Sequence, residues 1–538
     1  MRKDHPLKII LILALLIMTL PWFGFSIQGG VSAESFLQDG PEVDPELLDQ
    51  FSRSDSVDYF IYFDGRPDLS PAYGMAWEER GAFVYQRLTE AAETSQKAVR
   101  EFLSGKNTVF EAFWITNVIA VRGSDRVTFD GVRSFPGVRA ITTIPTVRLI
   151  EPVVSKETTS QVGIRSIEAN LTQIKVDEVW AKGIHGTGLV VGSIDTGVRF
   201  THEALVKQYR GNEGGGTFDH VYNWWDGISG NPAPYDDNSH GTHTVGIMVG
   251  DDGLDNQIGV APDAQWMACK AFDSGGNGNA TELLSCGQFM AAPTDLNGHN
   301  PNPDLRPHVV NNSWGDCSQT YDDWYEGTID AWLAAGMYPV FANGNNDGCG
   351  YGEPPGLNTV GNPARSYHVT GVGSTGKNDG LYAEHSNWGP TDSLDTLNPM
   401  GHADMKPQVV APGVSIRSSI AGSDDLYVEY TGTSMSTPHV AGLVALMWEA
   451  ASCLVGDYVT TETILQESAT PIYYDDNGDG TATYPNYATG WGEIDAAAAV
   501  SQAQSTCGDA IIKGRVTDAS TGSPLAGARV AALAQGDP

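Results

Sequence analysis

Short apolar runs typical of buried strands alternate with segments of helical periodicity from Gly186 onward, and this alternation constrains the fold more than any other feature. The runs cover residues 189–194, 266–271, 309–311, 339–342 and 369–372, and the helix candidates cover 281–291 and 323–335. Continuous apolar strands separated by helices predict an α/β fold with a mainly parallel sheet covered by helices on both faces. In such sheets, functional sites form outside the carboxyl ends of the strands.

The chain before this region predicts a small α+β unit of its own. Residues 58–63, 113–121 and 138–150 are rich in β-branched and aromatic residues, which favour strands. A helical face lies between the first two of these segments, formed by Val84, Leu88, Ala91, Ala98 and Phe102 at three- and four-residue spacing. Residues 34–56 are polar and acidic with two prolines, and we expect them to form a flexible leader.

The amino terminus has the pattern of a secretory signal peptide. Arg2, Lys3 and Lys8 precede an uncharged apolar run over residues 9–20, and small residues at 31–33 predict cleavage after Ala33. The alternative is a membrane anchor, but the 12 strongly apolar residues are short of the roughly 20 that a spanning helix needs. We therefore expect a secreted, extracellular protein with no stable membrane anchor.

All six cysteines follow residue 260, and an even number in an exported chain indicates disulfides. Of the possible pairings we expect neighbours to pair in order; buried free thiols are the alternative.

The acidic charge excludes one class of partner. The net charge is −35, and residues 1–150 hold 15 basic and 19 acidic side chains, which leaves 16 against 47, or −31, for the remainder. Nucleic-acid binding depends on basic side chains that neutralise phosphates. We therefore expect no nucleic-acid partner.

Three motifs carry residues of nucleophilic catalysis. Asp195 ends the first apolar strand, His240 lies in Asn238-Ser239-His240-Gly241-Thr242-His243, and Ser434 lies in Gly432-Thr433-Ser434-Met435-Ser436 at the start of an apolar helix. A carboxylate can orient an imidazole, which can take a proton from a hydroxyl. Each motif alone has a simpler interpretation: a turn residue for Asp195, a metal pair for His240 and His243, and a helix cap for Ser434.

The three motifs together resemble the subtilases, the subtilisin-like serine endopeptidases, in which the chain order is Asp, His, Ser. The likeness covers roughly residues 175–500. It implies that Asn345 in Val340-Phe341-Ala342-Asn343-Gly344-Asn345 donates its amide to the oxyanion hole. It also implies that two segments line the substrate cleft, one holding Ser313, Trp314 and Gly315, the other Ala342, Asn343 and Gly344.

The resemblance implies a secreted endopeptidase that acts on proteins or peptides, needs no cofactor for its chemistry and is a monomer. The amino-terminal unit resembles the family's propeptide, which acts as intramolecular chaperone and inhibitor, so we expect a self-processing zymogen cut between Ile150 and Glu168. The expected domains are a signal peptide (1–33), a propeptide (34–160), a subtilisin-like peptidase (161–506) and, from 507 to 538, the start of a truncated β-sandwich that resembles a carboxypeptidase-regulatory-like domain.

Other interpretations remain at this point. A catalytically inactive binding or adhesion protein on the same fold would be expected to lack a triad or oxyanion residue, and an exopeptidase would need a blocked cleft. Asp475, Asn477 and Asp479 have the alternating oxygen ligands that open a calcium loop. The twelfth position is Asn486 and not Glu, so a polar turn is the alternative to structural calcium.

Overall fold

The computed structural model describes residues 40–149, 152–156, 166–394 and 401–508. The predicted signal peptide lies outside these residues. So do most of the segment between Ile150 and Glu168, where we expect the cut, and nearly all of the predicted β-sandwich. Among the described helices, none combines the length and apolar character needed to cross a membrane.

The amino-terminal part forms a five-stranded sheet in the order β1-β5-β2-β4-β3 with helices packed against it. Its elements, with two strands that follow it, are β1 (Glu42–Val43), α1 (Pro45–Arg53), β2 (Val57–Phe63), α2 (Trp77–Gly105), β3 (Val109–Phe113), β4 (Val118–Ser124), α3 (Arg126–Val132), β5 (Val138–Thr142), β6 (Thr146–Arg148) and β7 (Val153–Lys156). The predicted α+β unit therefore exists as a compact layer of sheet and helices.

The larger part holds the remaining elements. Its strands are β8 (Val190–Asp195), β9 (Asn212–Gly214), β10 (Thr217–Phe218), β11 (Trp224–Asp226), β12 (Gln265–Lys270), β13 (Asn277–Asn279), β14 (Val309–Asn312), β15 (Tyr338–Ala342), β16 (Thr370–Thr375), β17 (Val409–Pro412), β18 (Ile416–Ser419) and β19 (Tyr427–Thr431). Its helices are α4 (Ala169–Gln173), α5 (Val176–Trp180), α6 (His240–Val249), α7 (Ala280–Ala291), α8 (Glu326–Ala335), α9 (Asn346–Cys349), α10 (Thr433–Ala450), α11 (Tyr458–Ser468) and α12 (Ala496–Gly508).

A seven-stranded parallel sheet in the order β11-β12-β8-β14-β15-β16-β17 organises this part. Successive side chains of a strand lie on opposite faces of the sheet. On one face, Val309 and Val340 pack with α6 and α10. On the other face, Val310 and Phe341 pack with α7 and α8. The strands are apolar at consecutive positions because both faces are buried. The predicted parallel sheet with helices on both faces is confirmed.

The predicted strands and helices of the sheet region agree with the structure to within a few residues. The expectation of a flexible leader up to residue 56 is wrong, because helix α1 lies within that segment. Asp44 caps this helix by accepting the backbone N–H of Glu46, Pro45 occupies its first turn, and Leu47 is fully buried. These local signals outweigh the acidic composition.

The cysteines pair in order, as expected, in the bonds Cys269–Cys286, Cys317–Cys349 and Cys453–Cys507. Cys507 lies inside α12, whose bounds reach Gly508. The last helix of the larger part therefore extends beyond the boundary expected at residue 506.

Candidate active site

Asp195 is the last residue of β8 and lies at the carboxyl edge of the sheet. Its carboxylate is 1% exposed and accepts the backbone N–H of Thr196 at 2.7 Å and the hydroxyl of Thr244 at 3.2 Å. A buried charge needs such partners. These two hydrogen bonds also fix the orientation of the carboxylate relative to helix α6.

His240 is the first residue of α6, and its Nδ1–H donates to Asp195 Oδ1 at 2.7 Å. Both side chains are almost fully buried. Gly241 makes this approach possible, because a Cβ atom there would lie 2.2 Å from the carbonyl oxygen of Gly197. The geometry is that of an imidazole whose tautomer is fixed by a carboxylate.

Ser434 lies in the first turn of α10, behind Gly432 and Thr433. Pro438 lies four residues further and lacks the N–H that would bond to the carbonyl of Ser434. The hydroxyl of Ser313 donates to that carbonyl instead at 2.9 Å, and Ser434 Oγ donates to the carbonyl of Ser313 at 3.1 Å. The nucleophile candidate is thereby joined to the segment after β14.

Asn345 follows β15 and holds its side-chain amide in one orientation. Its Oδ1 accepts the backbone N–H of Thr433 at 2.8 Å and the hydroxyl of Thr433 at 3.0 Å. The other end of the amide, Nδ2, lies beside Gly432. A Cβ atom added to Gly432 would be 3.3 Å from this nitrogen. A fixed N–H donor beside a helix amino terminus is suited to stabilise a developing oxyanion.

These four side chains come from distant parts of the chain but share one edge of the sheet. Helices α6 and α10 pack directly against each other, and each begins at this edge. The edge therefore combines a hydroxyl, an oriented imidazole and an amide donor. Together they can perform attack on a carbonyl carbon.

The first predicted cleft segment contributes backbone more than side chains. Ser313 touches Ser434, but the Trp314 indole is 2% exposed and packs against Phe341 and Tyr325 with ring centroids 5.3 and 5.4 Å apart. Trp314 is thus a core side chain. A substrate can therefore contact this segment only through the backbone of Trp314 and through Gly315.

The second predicted cleft segment is similar. Asn343 is fully buried and its Nδ2 donates to the carbonyl of Asn387. Gly344 has φ +101°, and a Cβ there would lie 2.7 Å from Asn387 Nδ2. Ala342 is 5% exposed. Asn343 therefore supports the loop from beneath and does not face the open cleft.

Two strands from before residue 160 pair with strands of the larger part. Strand β6 pairs antiparallel with β13, and the N–H of Leu149 donates to the carbonyl of Gly276 at 2.7 Å. Strand β7 pairs antiparallel with β19, which ends just before Gly432, and Val153 is opposite Thr431. In the sequence only three residues, 150 to 152, separate these two pairings.

The other histidines near the site are structural. Burial lowers the pKa of His243 to about 3, its Nε2–H donates to the carbonyl of Val428 at 3.1 Å, and its ring stacks on Tyr430. Because His240 bonds to Asp195, the two histidines do not point at a common ligand. Burial likewise lowers the pKa of His439 to about 4. A metal pair at His240 and His243 does not fit this arrangement.

The predicted calcium ligands Asp475, Asn477 and Asp479 lie in one exposed turn. Their oxygens accept backbone N–H groups of that turn, including those of Gly478 and Gly480 at 2.8 Å on Asp475. A carboxylate has more lone pairs than these hydrogen bonds use. The turn can therefore form without an ion and still leaves oxygen ligands available.

Within the described ranges, one other group of metal-ligand type comes together: Glu326, Asp330 and His368. Burial opposes protonation of His368, but hydrogen bonds to Asp330 and Glu326 outweigh it and raise its pKa to about 9. Arg66 adds a guanidinium 3.0 Å from Asp330. The two carboxylates are thus balanced by two cations of the protein itself.

Sequence reasoning missed the supporting residues. Thr244 and Thr433 hold Asp195 and Asn345, and their position inside the catalytic motifs was the available signal. Trp77 and Arg80 were also missed. Arg80 is 5% exposed and donates to the carbonyls of Leu333, Ala334 and Gly456, while Trp77 Nε1–H donates to the carbonyl of Gly336. No local pattern indicates this contact.

Comparison with known proteins agrees with the geometry. The model of the Subtilase family matches residues 186–492. Bacillopeptidase F of Bacillus subtilis (strain 168) is 37% identical over 441 residues, which are 79% of this chain and 29% of that protein. Subtilisin DY of Bacillus licheniformis is 29% identical over 283 residues, 53% of this chain and 85% of its own length. The chain thus spans less than a third of the length of Bacillopeptidase F.

Proposed function

Since the chain belongs to the subtilase family, we propose that it is a secreted serine endopeptidase that hydrolyses peptide bonds in proteins. The observation that carries the proposal is the buried 2.7 Å hydrogen bond between His240 and Asp195, at the same sheet edge as Ser434. The names of its relatives, such as Bacillopeptidase F and Subtilisin DY, agree with this activity.

In the proposed mechanism, Ser434 Oγ attacks the scissile carbonyl carbon and His240 takes the hydroxyl proton. Asp195 orients the imidazole and stabilises the imidazolium that forms. The amide of Asn345 and the backbone N–H of Ser434 bind the oxyanion, and the C–N bond breaks as His240 gives its proton to the leaving amine. Water then attacks the acyl carbon while His240 takes its proton, and that proton returns to Ser434 Oγ as the acyl group leaves as a carboxylic acid. No cofactor enters these steps.

We also propose that the chain is a zymogen that cuts itself. The pairing of β6 with β13 and of β7 with β19 supports this, because it binds the chain to the larger part before and after residues 150–152, and β19 ends just before Gly432. We expect the cut at one of the three bonds between Ile150 and Val153. The amino-terminal unit would then act as chaperone and inhibitor, and the mature enzyme as a monomer.

N-terminal sequencing and intact mass of the secreted protein test both proposals. The wild type should begin at Glu151, Pro152 or Val153, whereas Ser434→Ala should keep the amino-terminal unit. Ser436→Ala is the matched control, because it removes a hydroxyl from the same helix and should still be processed. Retention of the unit by the wild type, or its removal from Ser434→Ala, would refute self-processing by Ser434.

Structural calcium at Asp475, Asn477 and Asp479 remains a proposal. The exposure of Asn477 and Asp479 and the unused lone pairs of the carboxylates in this turn support it. Calcium chloride should raise the unfolding temperature of Ser434→Ala relative to EDTA, and adding Asp475→Ala and Asp479→Ala should abolish that difference. Equal responses with and without the two aspartates would refute calcium at this turn.

A further inference from the structure

A disulfide joins the two segments that contact the start of helix α10. Cys317 lies two residues after Gly315, and Cys349 lies four residues after Asn345. Ser313 exchanges two hydrogen bonds with Ser434, and Asn345 accepts two from Thr433. The bond therefore links these two segments covalently, close to their contacts with the start of α10.

The segment that holds Cys317 lies at the surface and is held mainly by hydrogen bonds, including those from the backbone N–H of Asn362 to Asp316 at 2.9 Å and from Arg365 to the carbonyl of Ser318 at 3.3 Å. Cys317 is exposed, and its carbonyl accepts the hydroxyl of Tyr351 at 2.7 Å. Asp316 is anchored by Asn362, with its own N–H donating to the carbonyl of Asn362 at 2.9 Å. Beyond Ser318 the chain runs over the surface with exposed side chains. Packing alone therefore restrains this segment weakly.

The segment that holds Cys349 is equally short of packing. Helix α9 has only four residues, and Asp347 and Gly348 are exposed. Its first residue, Asn346, donates its N–H to the carbonyl of His385 at 2.9 Å and its side-chain amide to the carbonyl of Gly352 at 3.0 Å. A four-residue helix has little stability of its own. The disulfide is thus the covalent restraint at the end of the oxyanion segment.

The other two disulfides differ in position. Cys269 and Cys286 are buried and tie β12 to α7. Cys453 and Cys507 tie the chain just past α10 to α12, at the opposite end of α10 from Ser434. Eighteen helical residues span roughly 27 Å at 1.5 Å per residue. Cys453–Cys507 is therefore a natural control.

We propose that the Cys317–Cys349 disulfide positions the oxyanion donor Asn345 relative to Ser434, so that turnover depends on this bond while the fold does not. The inference rests on the proposed endopeptidase function. Cys317 and Cys349 are positioning residues, since neither reaches the reacting atoms. Because small displacements of a catalytic group cost large factors in rate, loosening Asn345 should lower kcat more than it raises KM.

The test compares Cys317→Ala/Cys349→Ala with Cys453→Ala/Cys507→Ala on a peptide substrate. Sulfonyl fluoride labelling of Ser434 counts active molecules in each sample. Per active molecule, we expect the kcat of Cys317→Ala/Cys349→Ala to fall about tenfold, with KM changed less than about threefold. The second pair should stay within twofold of the wild type. Equal kcat for both pairs would overturn the proposal, and absence of Ser434 labelling in the wild type would instead overturn the proposed function.

Reduction of the folded, processed protein gives a second measurement that does not depend on refolding a variant. One thiolate of dithiothreitol attacks the exposed disulfide, and the second closes to a cyclic disulfide. Two electrons and two protons thereby pass to Cys317 and Cys349, which become thiols. Alkylation and mass spectrometry identify the reduced pair. We expect kcat to fall in step with alkylation of Cys317 and Cys349; full kcat with both alkylated would overturn the proposal.

Discussion

Asn345 is the residue whose substitution gives the clearest signal at the scale of a single side chain. Its Oδ1 is held twice by Thr433, so the amide is already oriented before a substrate binds. We expect Asn345→Ala to lower kcat about 10²- to 10³-fold, the loss known for one oxyanion-hole donor of this kind, with a much smaller change in KM. Steady-state kinetics on a peptide substrate measures it. Full turnover in Asn345→Ala would exclude this residue from the oxyanion hole.

At the scale of the element, the start of α10 compensates for a missing hydrogen bond. Ser313→Ala should lower the free energy of unfolding by about 1–2 kcal/mol, because the carbonyl of Ser434 loses the donor that replaces the N–H absent at Pro438. Adding Pro438→Ala restores a backbone donor and should reduce that loss. Urea unfolding of all variants in the Ser434→Ala background measures the coupling. Additive effects would contradict the compensation.

Helix α8 carries a pH-dependent contact with His368. Hydrogen bonds to Asp330 and Glu326 outweigh burial and hold the pKa of His368 at about 9, against an ordinary value of 6.5. A histidine whose pKa is raised by folding contributes stability that is complete below pH 6.5 and lost as the pH rises through 9. The stability difference between Ser434→Ala and Ser434→Ala/His368→Gln should therefore be largest below pH 6.5 and shrink toward pH 9. A difference independent of pH would refute this assignment.

At the scale of the whole molecule, the amino-terminal unit contacts the larger part away from the cleft as well as through β6. Arg80 donates to backbone carbonyls at the end of α8, which are buried with it. Arg80→Ala should lower the free energy of unfolding of the Ser434→Ala chain by at least about 2 kcal/mol, because charged hydrogen bonds are lost in a buried place. Arg87→Ala, exposed on the same helix, should have almost no effect. Equal effects of the two substitutions would contradict an anchor at Arg80.

Much of this fold follows from local sequence pattern. The apolar runs predict the strands of the parallel sheet because both faces of such a sheet are buried. Most side chains of such a strand are then apolar, so the strand can be recognised without knowing which elements pack against it. The acidic composition of the leader indicates a flexible segment, but Asp44 and Pro45 form a local helix-start signal and α1 begins there. Asp195, His240 and Ser434 could be proposed together from the spacing and chain order of their motifs.

The sequence by itself determined the alternation that makes a parallel sheet and the order of the catalytic motifs. Tertiary structure alone decided that Trp314 and Asn343 turn away from the cleft, that Arg80 caps α8, and that Cys317–Cys349 spans the segments beside Ser434. The physical reason is the separation along the chain over which each interaction acts. Periodicity and caps act between residues a few positions apart, whereas burial and hydrogen-bond partners of these side chains come from residues up to several hundred positions away.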